Sequence, residues 1–371
     1  MIVTTRYLIL KLVKILSDLD VFGKRVFVRA DLDVPLREAQ VVDGERLTTS
    51  AELEISTRLT NLKPTIDYLL EHEVSQIIIA GHIDRPSPRL RSGKPVIDPA
   101  LSTKQLLPVL EKILKSQIAF YPDVSTQPTP GVYQVDSSGS GLVVLLENLR
   151  FWPGEEANDL EFARQLASMA DVYINDALSV SHREHASVVA LPSLLPHAVG
   201  LHLQEEIEVL SELLKNPQRP FVAIVGGAKI ETKVPVIENL AKVADWVIVG
   251  GALAKEIRNY NEKIKIAQLT EDTKDIDRES IEKFRSIIAT AKTVVWNGPM
   301  GVFEERFDEG SMAVANAIIK SGAYSVVGGG ETTEFLASKK LLEKFFFVSS
   351  GGGAMLGFLS GKELPGLVAL E

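Results

Sequence analysis

Short apolar runs rich in β-branched residues recur along the chain, separated by stretches of helical periodicity. In the first half the runs are RVFVRA from Arg25, SQIIIAG from Ser75, QIAFY from Gln117, LVVLLEN from Leu142 and DVYIN from Asp171. In the second half they are FVAIVGG from Phe221, ADWVIVGG from Ala244, KTVVWNG from Lys292, AYSVVGGG from Ala323 and FFFVSSGGG from Phe345. Strands that are apolar throughout, with no alternation, belong to parallel sheets covered on both faces. The helical spacing from Pro64 to Glu71 and from Ser280 to Ile288 supplies such covers. The pattern predicts an α/β chain of two doubly wound parallel-sheet domains with five strands in each half.

The 371 residues exceed one ordinary core, in keeping with two domains. Between the halves, Leu203, Ile207, Leu210 and Leu214 form one helical stripe that Asn216-Pro217 ends, which predicts an interdomain helix over 201–217. An N-terminal domain then covers 1–200 and a C-terminal domain 218–355. The segment from Thr126 to Gly141, rich in Pro, Ser and Gly, reads as a loop. At the start of the chain, Ile9, Leu12, Val13 and Leu16 fall at helical spacing. Lys11 and Lys14 break the apolar stretch, so a short amphipathic helix is expected there rather than a signal peptide.

Composition narrows the function. No cysteine is present, which excludes disulfides, zinc-thiolate sites and thiol nucleophiles and suits a reducing cytoplasm. A formal charge of −9 argues against a nucleic-acid partner, and no apolar run reaches the ~20 residues of a membrane span.

Ligands of open α/β sheets bind beyond the carboxyl ends of the strands, so the residues after each run matter most. In the first half these are Asp31 and Asp33; His82 and Arg85; Glu147, Asn148 and Arg150; and Asn175 and Asp176, with His182, Arg183 and His185 just beyond. One arginine after a strand is a solvated charge. Several at one sheet edge form an anion site, because guanidinium forks match carboxylate and phosphate oxygens. The second half offers glycine instead: Gly226-Gly227, Gly250-Gly251, Asn297-Gly298-Pro299, Gly328-Gly329-Gly330 and Gly351-Gly352-Gly353. Each alone makes a tight turn, but five in succession let backbone N–H groups approach a nucleotide's phosphates. Neither a dinucleotide fingerprint nor a Walker loop is present, which disfavours a nicotinamide oxidoreductase. An acid pocket on one domain and a nucleotide pocket on the other imply phosphoryl transfer across a cleft, with water kept out by hinge closure.

From about Gly23 onward the sequence resembles the phosphoglycerate kinase family. The resemblance rests on RADLDVPL, STRLTNLKPTI, GHIDRP, LENLRF, NDALSVSHREHAS, RPFVAIVGGAKIETK, VVWNGPMGVFEERF, VVGGGETT and SSGGGAMLGFLSGKELPG, all in family order. It implies a glycolytic enzyme exchanging a phosphoryl group between 1,3-bisphosphoglycerate with ADP and 3-phosphoglycerate with ATP, with Mg2+ on the nucleotide. A cytoplasmic monomer is implied, with no nucleic acid or membrane as partner. The segment 356–371 is implied to return to the N-terminal domain.

Carried over residue by residue, Asp31 and Asp33 would meet the glycerate backbone and hydroxyl, and His82, Arg85, Arg150 and Arg183 its carboxylate or phosphate. Arg58 would stabilise the transferring group. Lys229 and Lys233 would neutralise charge from the nucleotide side, with Lys233 nearest that group. Gly351, Gly352 and Gly353 would offer it backbone donors. Gly227, Gly298, Pro299, Gly301, Glu304, Gly329 and Gly330 would line the nucleotide site, Glu304 at the ribose. Glu331 and Thr332 would stand at the metal–phosphate position.

The chain departs from the family pattern at Asp33 (family Asn), Asp84 (family Gly), Glu331 (family Asp), Leu178-Ser179 (family Phe-Gly), and Met355, Gly357 and Ser360. The stretch from Gly251 to Asp275 is a few dozen residues shorter than usual. A non-catalytic nucleotide- or phosphoglycerate-binding protein of the same fold is the alternative.

Overall fold

The computed structural model describes residues 13–34, 41–42, 45–46, 57–86, 90–91, 94–124, 142–258 and 261–371. The amphipathic segment before Val13 and the loop from Thr126 to Gly141 lie outside the described residues. The described chain divides into two compact units, Met1–Ile207 with Leu364–Glu371, and Glu208–Glu363.

The first unit is built on one parallel sheet. Its strands are β1 (Arg25–Arg29), β2 (Gln76–Ala80), β3 (Ile118–Tyr121), β4 (Val143–Leu146), β5 (Val172–Asn175) and β6 (His197–Val199), in the order β6-β5-β1-β2-β4-β3. The central strands are apolar because helices such as α1 (Lys63–Glu71), α2 (Leu107–Leu114) and α3 (Leu160–Ala167) shield them from water. Ile66, Leu69, Leu110 and Leu114 join Val26, Val28, Ile77 and Ile79 in one core.

The second unit repeats the plan. Strands β7 (Phe221–Val225), β8 (Trp246–Val249), β9 (Ile264–Ile266), β10 (Thr293–Asn297), β11 (Tyr324–Gly328) and β12 (Phe347–Ser349) run in parallel in the order β9-β8-β7-β10-β11-β12. Its core gathers Ile224, Ile248, Val294, Trp296, Phe284 and Phe335.

Each sheet therefore has six strands where five were expected. The additional ones, β6 and β9, are three-residue edge strands. The first is hemmed by Pro196 and Gly200, and the second carries Lys265 at its centre, stacked 4.6 Å over the Trp246 ring. Neither is long enough to show a period. In both sheets the chain reverses its direction of travel at the middle, between β1 and β5 and between β7 and β10, which is where an open α/β sheet leaves a crevice at its carboxyl edge.

Helix α4 (Leu201–Lys215) carries the chain from the first unit into the second and stops just before Asn216-Pro217. Leu203, Ile207 and Leu210 are buried as its stripe requires, and Leu213 rather than Leu214 completes the row. Its exposed N-terminal amides are satisfied from elsewhere in the fold. The Leu201 N–H donates to Thr65 Oγ1 at 2.9 Å, and His202 and Leu203 N–H donate to Asp176 Oδ1 at 3.0 and 3.1 Å. One turn on, the buried His202 imidazole lies 3.4 Å from the buried Glu206 carboxylate. Burial alone would lower the His202 pKa. The hydrogen bond and charge of Glu206, with the charges of Asp176 and Asp31, outweigh it and raise the value to about 9.

A raised histidine stabilises the fold fully below its unfolded pKa of 6.5 and loses that contribution as pH climbs through the folded value. Urea unfolding of the wild type should therefore weaken between pH 6.5 and about 9, by up to about 3 kcal/mol. Across the same window the stability gap between wild type and His202→Asn should shrink by that amount, since the other titrating groups are common to both.

Candidate active site

The carboxyl edge of the first sheet gathers the cationic groups. Arg29 closes β1 and is fully buried, its Nη2 donating to His82 Nδ1 at 3.1 Å. His82 sits on the loop after β2, which is pinned by Asn148: its Nδ2 donates to the carbonyls of Ile83 (2.8 Å) and Leu101 (2.9 Å). The other face of His82 meets Asp33, with Nε2 3.5 Å from Oδ2. Asp33 Oδ1 also accepts the Asp84 N–H at 2.7 Å. Burial pushes the Asp33 carboxyl up, but the His82 contact, the Asp84 N–H and the Arg58 charge together hold it well below the usual carboxylate range.

His82 itself is pushed down to about 3, by burial first and then by the charges of Arg29 and Arg150. His185 falls to about 3 for the same kinds of reason, burial and then Arg150, Arg29 and Arg183. Both imidazoles are thus neutral at pH 7, and the positive charge of this edge belongs to arginines.

Arg150, only 1% exposed, donates from Nη1 to the Asp84 carbonyl and holds Nε 3.4 Å from Glu156. Burial and then Arg183 lower its pKa to about 10, and burial and then Arg85 lower that of Arg183. Arg150 Nη2 and Arg183 Nε find no hydrogen-bond partner among the described residues. Buried donors of a mutually repelling arginine group fit an anion. Arg58 stands at the rim, its Nη1 3.4 Å from Asp31 Oδ2 and 3.2 Å from the Asp33 carbonyl. Arg85 and His182 are exposed.

Not every polar strand end belongs to this cluster. Glu147 accepts from Ser102 Oγ (2.7 Å) and Thr103 N (3.0 Å), and Asp176 serves α4, so both are structural. Arg29 was not among the expected site residues. Its signal was a lone charge ending an apolar run at the sheet's point of reversal.

The second unit uses main chain. The turns after β7 and β10 interlock there: Gly226 N–H donates to Asn297 O at 2.9 Å and Gly227 N–H to Pro299 O at 2.8 Å. A methyl group on Gly298 would lie 2.2 Å from the Gly226 carbonyl oxygen, and the residue takes φ +95°, so no other side chain fits. Its N–H donates to Thr332 Oγ1 at 2.6 Å.

Lys233, in the first turns of α5 (Ile230–Val243), is 5% exposed and donates to the Gly226 carbonyl. Its ammonium and the Glu331 carboxylate converge on Gly227, 2.6 and 3.1 Å from where a Cβ would stand. Burial lowers the Lys233 pKa to about 8, with Glu331 opposing and Lys229 adding to the fall.

Three helices begin on this edge without a side-chain cap, α5 after Lys229, α7 (Gly330–Ser338) after Gly329 and α8 (Gly353–Leu359) after Gly352. By contrast, α6 (Arg278–Ile288) is capped by Asp277 in the ordinary way. Buried Asn297 Nδ2, without a partner among the described residues, points at Gly329. Gly351 and Gly352 follow β12 and lead into α8. Gly301 packs instead against Asp275 and the Phe307 carbonyl, and Glu304 is exposed on the turn Phe303–Glu305.

The phosphoglycerate kinase family model matches residues 16–273 and 255–362, two pieces that overlap where the chain follows β8. The phosphoglycerate kinase of Solibacter usitatus is 37% identical over 404 aligned residues, covering 96% of this chain and 98% of that one. That of Finegoldia magna is 34% identical over 410, covering 96% and 99%. The solved phosphoglycerate kinase of Coxiella burnetii superposes with a TM-score of 0.77 at 30% identity, and that of Pyrococcus horikoshii with 0.76 at 26%. Each covers 96% of this chain and 98% of its own.

The interlocked turns of the second unit should tolerate no side chain at their crossing. Gly298→Ala should cost more than about 3 kcal/mol in urea unfolding, through backbone collision and strained φ. Gly330→Ala, with nothing within 4 Å of the added methyl, should fall within about 1 kcal/mol of wild type.

Proposed function

The chain belongs to the phosphoglycerate kinase family, and from that premise we propose that it moves a phosphoryl group reversibly between 1,3-bisphosphoglycerate and ADP, giving 3-phosphoglycerate and ATP. The observation that carries the proposal is the buried arginine group with unpartnered donors on one sheet edge, paired with a glycine-lined, lysine-bearing edge on the other sheet.

Arg85, Arg150 and Arg183 bind the acid's carboxylate and phosphate. Neutral His82 donates a hydrogen bond, and Asp31 and Asp33 accept from the hydroxyl. On the nucleotide side, Gly227, Gly298, Pro299, Gly329, Gly330 and Thr332 border the polyphosphate. Gly301 and Glu304 lie toward the nucleoside, and Lys229 adds charge. An oxygen of the ADP β-phosphate bonds to the phosphorus as the acyl oxygen leaves. Arg58, Lys233 and the N–H groups of Gly351 and Gly352 stabilise the charge spread over the transferring group.

Among the described residues no group of three or more His, Asp or Glu could hold a metal ion by itself. The donor set suits Mg2+ carried by the nucleotide, whose phosphate charge it neutralises, with Glu331 as the nearby carboxylate. No described helix is long and apolar enough to cross a membrane. We assign the enzyme to the cytoplasm as a monomer on family resemblance.

A coupled assay with 3-phosphoglycerate and Mg-ATP should show turnover that falls by roughly 100-fold or more in Arg58→Ala and in Lys233→Ala. Ligand binding without turnover in the wild type would sink the kinase proposal. Because Lys233 neutralises charge only when protonated, kcat/KM for ATP should decline above about pH 8, the pKa of the free enzyme's lysine. A profile flat to pH 9.5 would contradict that role.

A further inference from the structure

Glu155 lies in the short turn Pro153–Glu156, fully buried, and has no part in the mechanism so far. Both of its carboxylate oxygens are taken by Ser187: Oε2 accepts the backbone N–H at 2.9 Å, and Oε1 accepts the hydroxyl at 2.5 Å. With its proton committed to Glu155, the Ser187 hydroxyl accepts from Arg29 Nε at 2.9 Å. The same guanidinium donates Nη1 to the Ala30 carbonyl at 2.6 Å and Nη2 to His82 Nδ1 at 3.1 Å.

The guanidinium fixes the direction of its links, since it only donates and cannot accept. Burial raises the Glu155 pKa, against which the Arg29 charge and the two Ser187 hydrogen bonds favour the carboxylate that accepts them. His82 Nδ1 must be bare, and the ring proton sits on Nε2, the nitrogen that faces Asp33. A doubly protonated ring would set N–H against N–H. Four elements far apart in sequence, the end of β1, the loop after β2, the turn at 153–156 and the segment Ala186–Ala190, meet to make this arrangement, and all of its members are buried.

We propose that Glu155, acting through Ser187 and Arg29, is a positioning residue for the acid pocket: it locks His82 as the Nε2–H tautomer that presents a proton to the bound acid. The proposal rests on the acid-binding role given to His82 above. An ion pair between Glu155 and Arg29 that served only to hold the fold would not need a hydroxyl between them or an imidazole at the far end.

Two-bond 1H–15N spectra of the full chain labelled at histidine, at pH 7, read the tautomer directly, with His82→Gln assigning the signal. The wild type should show His82 neutral with the proton on Nε2. A cationic or Nδ1–H ring in the wild type overturns the proposal whatever any variant does. In Ser187→Ala the anchor of Arg29 is lost, and the His82 signal should move to a mixture of tautomers. KM for 3-phosphoglycerate should rise roughly fivefold to tenfold, with KM for ATP changed less than about twofold. Glu155→Gln keeps the volume but leaves one acceptor for two donors, the Ser187 N–H and hydroxyl, so it should give the same signature. Should Ser187→Ala fail to fold, Glu155→Gln decides. An unchanged His82 spectrum in a folded variant, or equal rises in both KM values with the tautomer intact, assigns the group to structure alone and overturns the positioning role. A wild type with the Nε2–H signature but no turnover would overturn the kinase proposal alone.

Discussion

Like charges gathered in a protein interior repel in a low dielectric, and the first unit depends on how that repulsion is contained. Arg29 and Arg150 are both essentially buried, with Arg183 close enough to loosen the hold of Arg150 on its proton and Arg85 close enough to loosen that of Arg183. The protein offsets this in part, through Glu155 behind Arg29, Glu156 beside Arg150 and Asp33 in front of His82. It also keeps His82 and His185 neutral, so the histidines add donors without adding charge. What is left is donors without partners at Arg150 and Arg183, and an incoming anion can satisfy them at little cost in reorganisation.

The second unit meets the same need with almost no charge. Interlocked glycine turns bring carbonyl and amide groups of β7 and β10 within hydrogen-bond range, and uncapped helix starts face the same edge. Among the described residues of this unit Lys233 is the one buried ammonium, and its burial depresses its pKa. Side chains are suited to grip a small acid that must be told apart from others. Main-chain amides are suited to a polyphosphate, whose oxygens are all alike.

Much of this was legible in the sequence because the strands are buried on both faces, so their apolar runs stand out and the residues after them can be read as ligand contacts. Ten of the strands announce themselves this way. Edge strands β6 and β9 do not, since each is three residues long with a His or Lys among them, so no apolar run marks it, whereas the equally short β12 sits in the run FFFV. Roles that depend on who touches whom were also hidden. Glu147 and Asp176 look like site residues from their position yet serve loops and a helix start, while Arg29 looks like the end of a strand yet organises His82. The neutrality of the histidines could not be read from composition at all, because it follows from burial among arginines.

The departures from the family pattern can be weighed in the same terms. Asp84 takes φ +54°, a left-handed turn that explains why glycine is usual there and which aspartate tolerates better than most residues. That turn aims the Asp84 N–H at Asp33 and its carbonyl at Arg150, so two of the departures touch. An asparagine at position 33 could accept the same N–H, so the carboxylate is not needed for geometry; what it adds is charge. Ahead of ligand binding, that charge relieves the arginines. Once an anionic acid enters, it faces the newcomer. The balance thus trades stability of the resting pocket against affinity for the acid. The shortened segment after β8 presents no such tension. It still supplies edge strand β9 and still seats Asp275 against Gly310, whose N–H it accepts at 3.0 Å. The six-stranded sheet is complete in order to its β9 edge despite the short segment, so the shortening falls outside the strand pairing.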